Sequence, residues 1–321
     1  MTTRSWAWAR VGVLALLWGS TFLWIRLALD GLPPVEVTVV RCLLGTLVLA
    51  ALCLARRQRL PDDRATWRHL LVAAFFCNAL PFTLISIGEQ TVGSGLAGVL
   101  NATTPLWSLL IGLVTGAERR LPPLRSGGLL LGFGGTVIVC APWQQGHTVG
   151  WGAVAVLGAA ASYAVAFSYM QRHLVGRGVP TLALSTAQLL AATGLTALTL
   201  PVGGHLRLQV APTTLIAVVV LGILTTGVTF HLTFRIIADE GATDAATVGY
   251  LLPVVSVALG ALVLGEALSL RTVAGMAVVV GAVAMTRRRP RTTAETATTP
   301  TSAPMNTAAT APPTPLARPA E

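Results

Sequence analysis

The chain has no lysine: all 22 of its basic residues are arginine. Charge of either sign is scarce, at 11% of 321 residues, where a soluble domain carries about 25%. That deficit excludes an ordinary water-exposed surface. The net charge of +10 does not point to nucleic acid, because no basic face with interleaved aromatics is visible. Cysteine is limited to Cys42, Cys53, Cys77 and Cys140, each in or at the end of an apolar run. None forms a CxxC pair or a Cys/His cluster of zinc spacing. Neither a disulfide framework nor a metal site is expected, and the four read as small apolar packing residues. A G-x-x-x-x-G-K-[ST] phosphate loop is also missing, which argues against an ATPase, and no cofactor is expected.

What the chain does have is long apolar runs. Hydrophobic residues make up 54% of it and the mean hydropathy is +0.72. A bilayer core roughly 30 Å thick takes about 20 mostly apolar residues to cross as a helix. Residues 8–29, 35–55, 67–88, 92–115, 123–141, 149–171, 180–200, 212–235, 242–264 and 269–286 each approach or meet that length. The runs lack a two-residue alternation and are too long for tilted strands, so a barrel is excluded and each run is expected to be a helix. The expected fold is an all-α membrane protein with ten transmembrane helices. Arg4 and Arg10 precede the first run as in a signal peptide. That run is longer than a signal core and no A-x-A-like site closes it, so it reads as a retained helix.

Arginine in the links sets the orientation. With the N-terminus in the cytoplasm, the inner side holds Arg4, Arg10, Arg56, Arg57, Arg59, Arg64, Arg68, Arg119, Arg120, Arg125, Arg172, Arg177, Arg235 and the Arg287–Arg291 cluster. The outer side holds only Arg26, Arg41, Arg207 and Arg271. Both termini are therefore expected in the cytoplasm. From Thr292 to Glu321 the chain is mostly Thr, Ala and Pro. Such a segment buries too little to offset its ordering entropy, so residues 287–321 are expected to form a disordered cytoplasmic tail.

The second half repeats the first. Pro105 and Pro253 are 148 residues apart (253 − 105), and so are Glu118 and Glu266 (266 − 118), Phe82 and Phe230, and Gly127 and Gly275. Ser20 roughly matches Ser162, and Arg41 matches Gln188 when Pro33 is set on Pro180. The expected units are residues 8–141 and 149–286. Each holds five spans, an odd number, so the second enters the membrane in the opposite sense. Inverted repeats that rock about a site near the midplane are the usual architecture of secondary transporters.

Trp18-Gly19-Ser20-Thr21-Phe22, with Gly31-Leu32-Pro33-Pro34 and Arg41, resembles the first two helices of the EamA family, ten-helix members of the drug/metabolite transporter superfamily. Gly95-Leu96-Ala97 through Thr104-Pro105-Leu106-Trp107 resembles the family's fourth helix, and Gly265-Glu266 its turn after the ninth. The likeness covers about residues 10–286. Two departures stand out: Gly116-Ala117-Glu118 where the family usually has Gly-Glu directly, and Arg at cationic positions that are often Lys in relatives. The resemblance implies a gradient-driven carrier of the cytoplasmic membrane, commonly an exporter of amino acids or related metabolites.

Ionisable groups within a span are costly and mark candidate sites. Arg41 lies about six residues into its span, roughly 9 Å deep at 1.5 Å per residue. It either faces a cavity and binds a substrate carboxylate, or snorkels outward or pairs with Glu36. Ser20, Thr21 and Trp24 are further candidates. Ser20 and Trp24 share a helix face, as a solute wall or as close packing with an interfacial anchor. Asn78, Asn101, Tyr163, Gln188 and Tyr250 are the other substrate-binding candidates, with hydrogen bonding between helices as the alternative. Pro105 and Pro253 are expected mid-helix, as hinges or static bends. Gly128-x-x-x-Gly132 and Ala277-x-x-x-Gly281 read as helix-packing pairs. No carboxylate is expected deep in a span, so His231 is the proton-relay candidate, against a hydrogen-bonded core role.

The leading expectation is a secondary carrier that exports amino acids or related small metabolites, with the lipid bilayer and a small-molecule substrate as its partners. The alternative is efflux of drugs or other amphipaths. A membrane enzyme would need a nucleophile with a base, or paired carboxylates, at one depth. His147 and His205 lack such partners, so no catalytic residue is assigned. The inverted repeat argues against a non-transporting scaffold or receptor.

Overall fold

A computed structural model describes residues 12–114, 116, 123–140, 150–174, 176, 178–203, 211–239 and 242–287. Among these residues every regular element is a helix. They are α1 (Gly12–Leu29), α2 (Pro34–Ala55), α3 (Arg64–Gly88), α4 (Ser94–Val114), α5 (Pro123–Cys140), α6 (Trp151–His173), α7 (Thr181–Ala197) and the single turn α8 (Leu200–Gly203). Then follow α9 (Pro212–Gly222, a π-turn Ile223–Val228, and Thr229–Asp239), α10 (Ala242–Leu264) and α11 (Leu270–Arg287). Among the described residues six segments are long and apolar enough to cross a membrane: α1, α2, α3, α4, α6 and Pro212–Thr233 of α9. Their apolar windows are 44–56% buried. Each is largely apolar over its crossing window yet only about half buried, which is how a helix packs when its other face meets lipid. Leu16, Leu54, Val114 and Trp151 are exposed in this way, and so are Leu262 of α10 and Leu270 of α11. The expected tail lies outside the described residues except for Arg287, which closes α11.

Local chemistry sets the helix starts. Pro34 opens α2 after an extended Pro33, a first-turn position where the missing N–H costs nothing. Asp63 accepts the Thr66 N–H at 2.7 Å, an N-cap that starts α3 at Arg64, three residues before the apolar run. The two matched prolines differ in setting. Pro253 sits inside the continuous α10. Pro105 is the second residue of Thr104–Val114, just after a break at Ala102–Thr103. There the hydroxyls of Thr103 and Thr104 donate to the Leu100 and Asn101 carbonyls at 2.7 Å each, occupying acceptors that the broken ladder leaves over.

Cys42, Cys53 and Cys77 are buried free thiols and pack with the aliphatic core. Helices at matching places in the sequence pack on each other: α5 on α11, α2 on α7, and α4 on α10. α3 packs on α6, and α1 on the first part of α9. Close approach requires glycine at the α3–α6 crossing. A Cβ on Gly88 would lie 2.8 Å from the Gly152 carbonyl oxygen, and one on Gly152 would run into Thr91 and Gly88. In α5, Gly132 packs against Leu106, while Gly135 faces Val278 and Val279 of α11; nothing lies within 4 Å of a Cβ on Gly281. The α5–α11 contact therefore runs past Gly135 rather than through Gly281.

Candidate functional site

Two π-turns occupy equivalent places in the sequence. Phe75–Ala79 interrupts α3 and Ile223–Val228 interrupts α9, with starts 148 residues apart (223 − 75), the repeat spacing. A π-turn shifts the hydrogen-bond ladder and leaves backbone groups for other partners. The Ser162 hydroxyl on α6 donates to the Phe76 carbonyl at 2.7 Å. Thr226 donates to the Leu221 carbonyl five residues back at 2.8 Å.

Each π-turn presents one polar side chain to the opposite half. Arg41 of α2 donates from Nε to the Thr226 hydroxyl at 3.2 Å. Gln188 of α7 donates from Nε2 to Asn78 Oδ1 at 2.9 Å. Arg41 matches Gln188 and Asn78 matches Thr226 in the sequence repeat, so the two bonds are counterparts. Between α2 and α7, Thr46 and Thr193 share a hydroxyl–hydroxyl bond at 2.9 Å.

Arg41 neither snorkels to a surface nor stays in water: it is 2% exposed. Its guanidinium carbon lies 3.7 Å from the centre of the Phe82 ring, a cation–π contact. Its Nη1 is buried without a hydrogen-bond partner. Arg41 lines a cavity of about 40 Å³ together with Trp18, Phe82, Tyr163, Phe167 and Phe230. Tyr163 stacks on Phe167 at 5.9 Å, and Trp18 meets Phe167 edge-on at 6.5 Å. The remaining wall is Cys77, Met170, Thr225, Thr229 and Thr233. Arg41 is the only charged residue among the described residues of this lining, and the cavity has room for about three waters.

Of the sequence candidates, Arg41 and Tyr163 line the cavity, while Asn78 and Gln188 are buried beside it and joined to each other. Ser20 and Thr21 donate to the Leu17 carbonyl at 2.9 and 3.4 Å, so their hydroxyl protons are used within α1 while their oxygens keep acceptor capacity. Trp24 is half-buried against the core. Asn101 is buried at the α4 break with Oδ1 unpartnered. His231 is half-buried with Nδ1 unpartnered, and its neighbours Phe230 and Thr233 line the cavity while it does not. The side chain of Tyr250 lies outside the described residues. Sequence reasoning missed Trp18, Phe82, Phe167, Met170 and Phe230 as lining. Phe82 and Phe230 carried a usable signal in their 148-residue separation.

A second polar cluster stands where α3 meets α4. Glu266, after α10, accepts the N–H groups of Ser94 at 2.6 Å and Gly95 at 3.0 Å, a carboxylate on the N-terminus of α4. Gly93, Gly95 and Gly260 leave room for it: a Cβ on Gly260 would lie 2.5 Å from Glu266 Oε2. Arg26 Nη1 donates to the backbone carbonyl of Glu89 at 2.7 Å. The Glu89 side chain is fully buried and neither carboxyl oxygen has a partner. Burial, then the nearby Glu266 carboxylate, push the Glu89 carboxyl well above the usual carboxylate range, against the pull of Arg41 and Arg26.

The chain matches the model of the EamA-like transporter family twice, over residues 8–141 and 150–288. It is 28% identical over 275 residues to the uncharacterized inner membrane transporter YedA of Escherichia coli K12, covering 85% of this chain and 87% of that one. It is 25% identical over 270 residues to the uncharacterized transporter YdfC of Bacillus subtilis, covering 84% and 87%. A solved crystal structure shares the fold with a TM-score of 0.62 at 24% identity, over 88% of this chain and 96% of that one. The two named relatives are transporters, not enzymes, and the helices described above are those of a multi-pass membrane protein. The chain belongs to the EamA-like transporter family.

Proposed function

We propose that the protein is a secondary-active exporter of amino acids or related small metabolites, working by alternating access. Ten spans form two five-helix halves of opposite orientation, with both termini in the cytoplasm and the residues after Arg287 as a tail. The halves rock about the cavity at Arg41. The observation that carries this reading is a buried guanidinium with a free Nη1 in an otherwise uncharged, aromatic-lined cavity. An isolated buried charge is expensive, and a solute carboxylate on Nη1 would offset it with a charge-assisted hydrogen bond. The twofold match to the family model, the matched π-turns and the counterpart bonds Arg41–Thr226 and Gln188–Asn78 support the two-half arrangement. The alternating motion fits a cavity too small for an amino acid in the conformation described.

The test is counterflow of a panel of labelled amino acids in liposomes, with Arg41→Ala alongside. Saturable exchange that the substitution abolishes is the expected result. Exchange that Arg41→Ala leaves intact overturns carboxylate recognition. The aromatic lining favours a second reading, efflux of drugs or other amphipaths. It predicts no amino-acid exchange from folded protein, and dye or drug movement that survives Arg41→Ala.

A further inference from the structure

We propose that Glu89 is a proton-binding site whose occupancy is linked to opening of the bundle end where α3 meets α4. As the coupling site of a carrier this rests on the reading above; as a proton site it stands on the geometry alone.

The residue is fully buried, and both carboxyl oxygens lack partners. A carboxylate cannot stay ionised in such a place without a cation or several donors. Among the described residues the cation in direct contact, Arg26, gives its Nη1 to the backbone carbonyl of Glu89. The other acid of the cluster, Glu266, already holds two amide N–H groups. A proton is the remaining way to neutralise Glu89, and it needs no co-reactant beyond water. Charges facing the site come from α1 (Arg26), α2 (Arg41) and the segment after α10 (Glu266). The α6 turns that close over Gly88 through Gly152 and Val156 contain no ionisable residue between Trp151 and Ser162.

The same groups tie the proton to a movement. Glu266 bridges the segment after α10 to the N-terminus of α4, and Arg26 bridges α1 to the end of α3. Parting this end of the bundle breaks the Glu266 cap and admits water to Glu89. The carboxyl then ionises, and Arg41 and Arg26 are the cations that face it. Closing reverses the order and takes up one proton. Glu89 also has no acidic counterpart in the repeat: position 237, 148 residues on, is Ile237. An acid needed only to hold one half together would have equal use in the other.

The experiment is infrared difference spectroscopy over a pH titration of the protein in liposomes, comparing the wild type with Glu89→Gln and Glu266→Gln. The expected result is a protonated-carboxyl C=O band that persists at neutral pH, disappears only as the pH is raised further, and is missing in Glu89→Gln. In Glu266→Gln the band remains and is lost at lower pH, because a neighbouring negative charge is gone. No such band at neutral pH, or one unchanged by Glu89→Gln, overturns the proton site. The second readout uses any solute that the counterflow panel moves. A pH gradient should accelerate its net flux several-fold in the wild type and not in Glu89→Gln, while counterflow persists in both. Gradient-driven flux that survives Glu89→Gln, or counterflow lost from folded Glu89→Gln, overturns the coupling role. If no solute moves, the carrier reading fails by itself and the infrared band still decides the proton site.

Discussion

Replacing Arg41 by methionine should uncouple binding from stability. The structure supplies both sides of the comparison. The substitution removes a charged hydrogen bond to Thr226, a type that contributes about 1.5–3 kcal/mol. It also removes a cation–π contact with Phe82, about 2 kcal/mol when desolvated. Against these stands the cost of keeping a guanidinium 2% exposed with one nitrogen unpartnered, effectively several kcal/mol per ion. The terms nearly cancel, and the flexible methionine side chain fills much of the vacated volume. The unfolding temperature of purified Arg41→Met in detergent should match or exceed that of the wild type. Carboxylate binding should fall sharply, since losing one partner of a buried charged pair costs about 2–5 kcal/mol, roughly 30-fold to several thousand-fold. Thermal unfolding and counterflow on the same preparations decide it. A drop in stability comparable to a core Leu→Ala, about 2–5 kcal/mol, would refute the reasoning, because Arg41 would then be a structural keystone. Undiminished exchange would refute it from the other side.

The remaining predictions concern the second cluster and the helix crossing. Glu266→Gln leaves one acceptor oxygen for two N–H groups and should cost about 1–2 kcal/mol, as for a lost helix cap; Gly260→Ala, which crowds the same carboxylate, should cost a similar amount, both read by thermal unfolding. The raised Glu89 carboxyl makes the folded state bind more protons than the unfolded one. Wild-type stability should therefore fall as pH rises from about 4.3 toward the folded-state value, by up to about 1.4 kcal/mol per pH unit. Glu89→Gln should remove that slope and be the more stable protein at neutral pH; equal slopes in the two proteins refute the assignment. Gly152→Val, which drives a side chain into Thr91 and Gly88, should cost at least about 1–3 kcal/mol and lower the yield of folded protein.

The membrane class was legible because lipid imposes a length and a polarity that no soluble surface shares. Arg41 stood out for a related reason: an ion inside an apolar run is conspicuous before any neighbour is known. The cavity wall was not legible. Phe82, Phe167 and Phe230 are ordinary apolar residues in apolar helices, and only the packing of α3, α6 and α9 around Arg41 tells lining from lipid face. Glu89 misled for the opposite reason. It follows the last residue of α3 and reads as part of a polar link, but α6 closes over Gly88 and Arg26 over its carbonyl, so a helix end becomes interior. The matched prolines show that shared spacing does not ensure shared geometry. Thr103 and Thr104 satisfy a broken ladder ahead of Pro105, while Pro253 stays within a continuous helix.

The Thr46–Thr193 bond bears on how the chain can evolve. The chain carries two copies of one family unit, and most positions of one copy face different neighbours from their mates, so each can drift alone. Thr46 and Thr193 are mates that touch each other. A change at either leaves its mate without the matching hydroxyl. Such positions are the last places where two copies become independent, and the first places to compare when asking how far they have diverged.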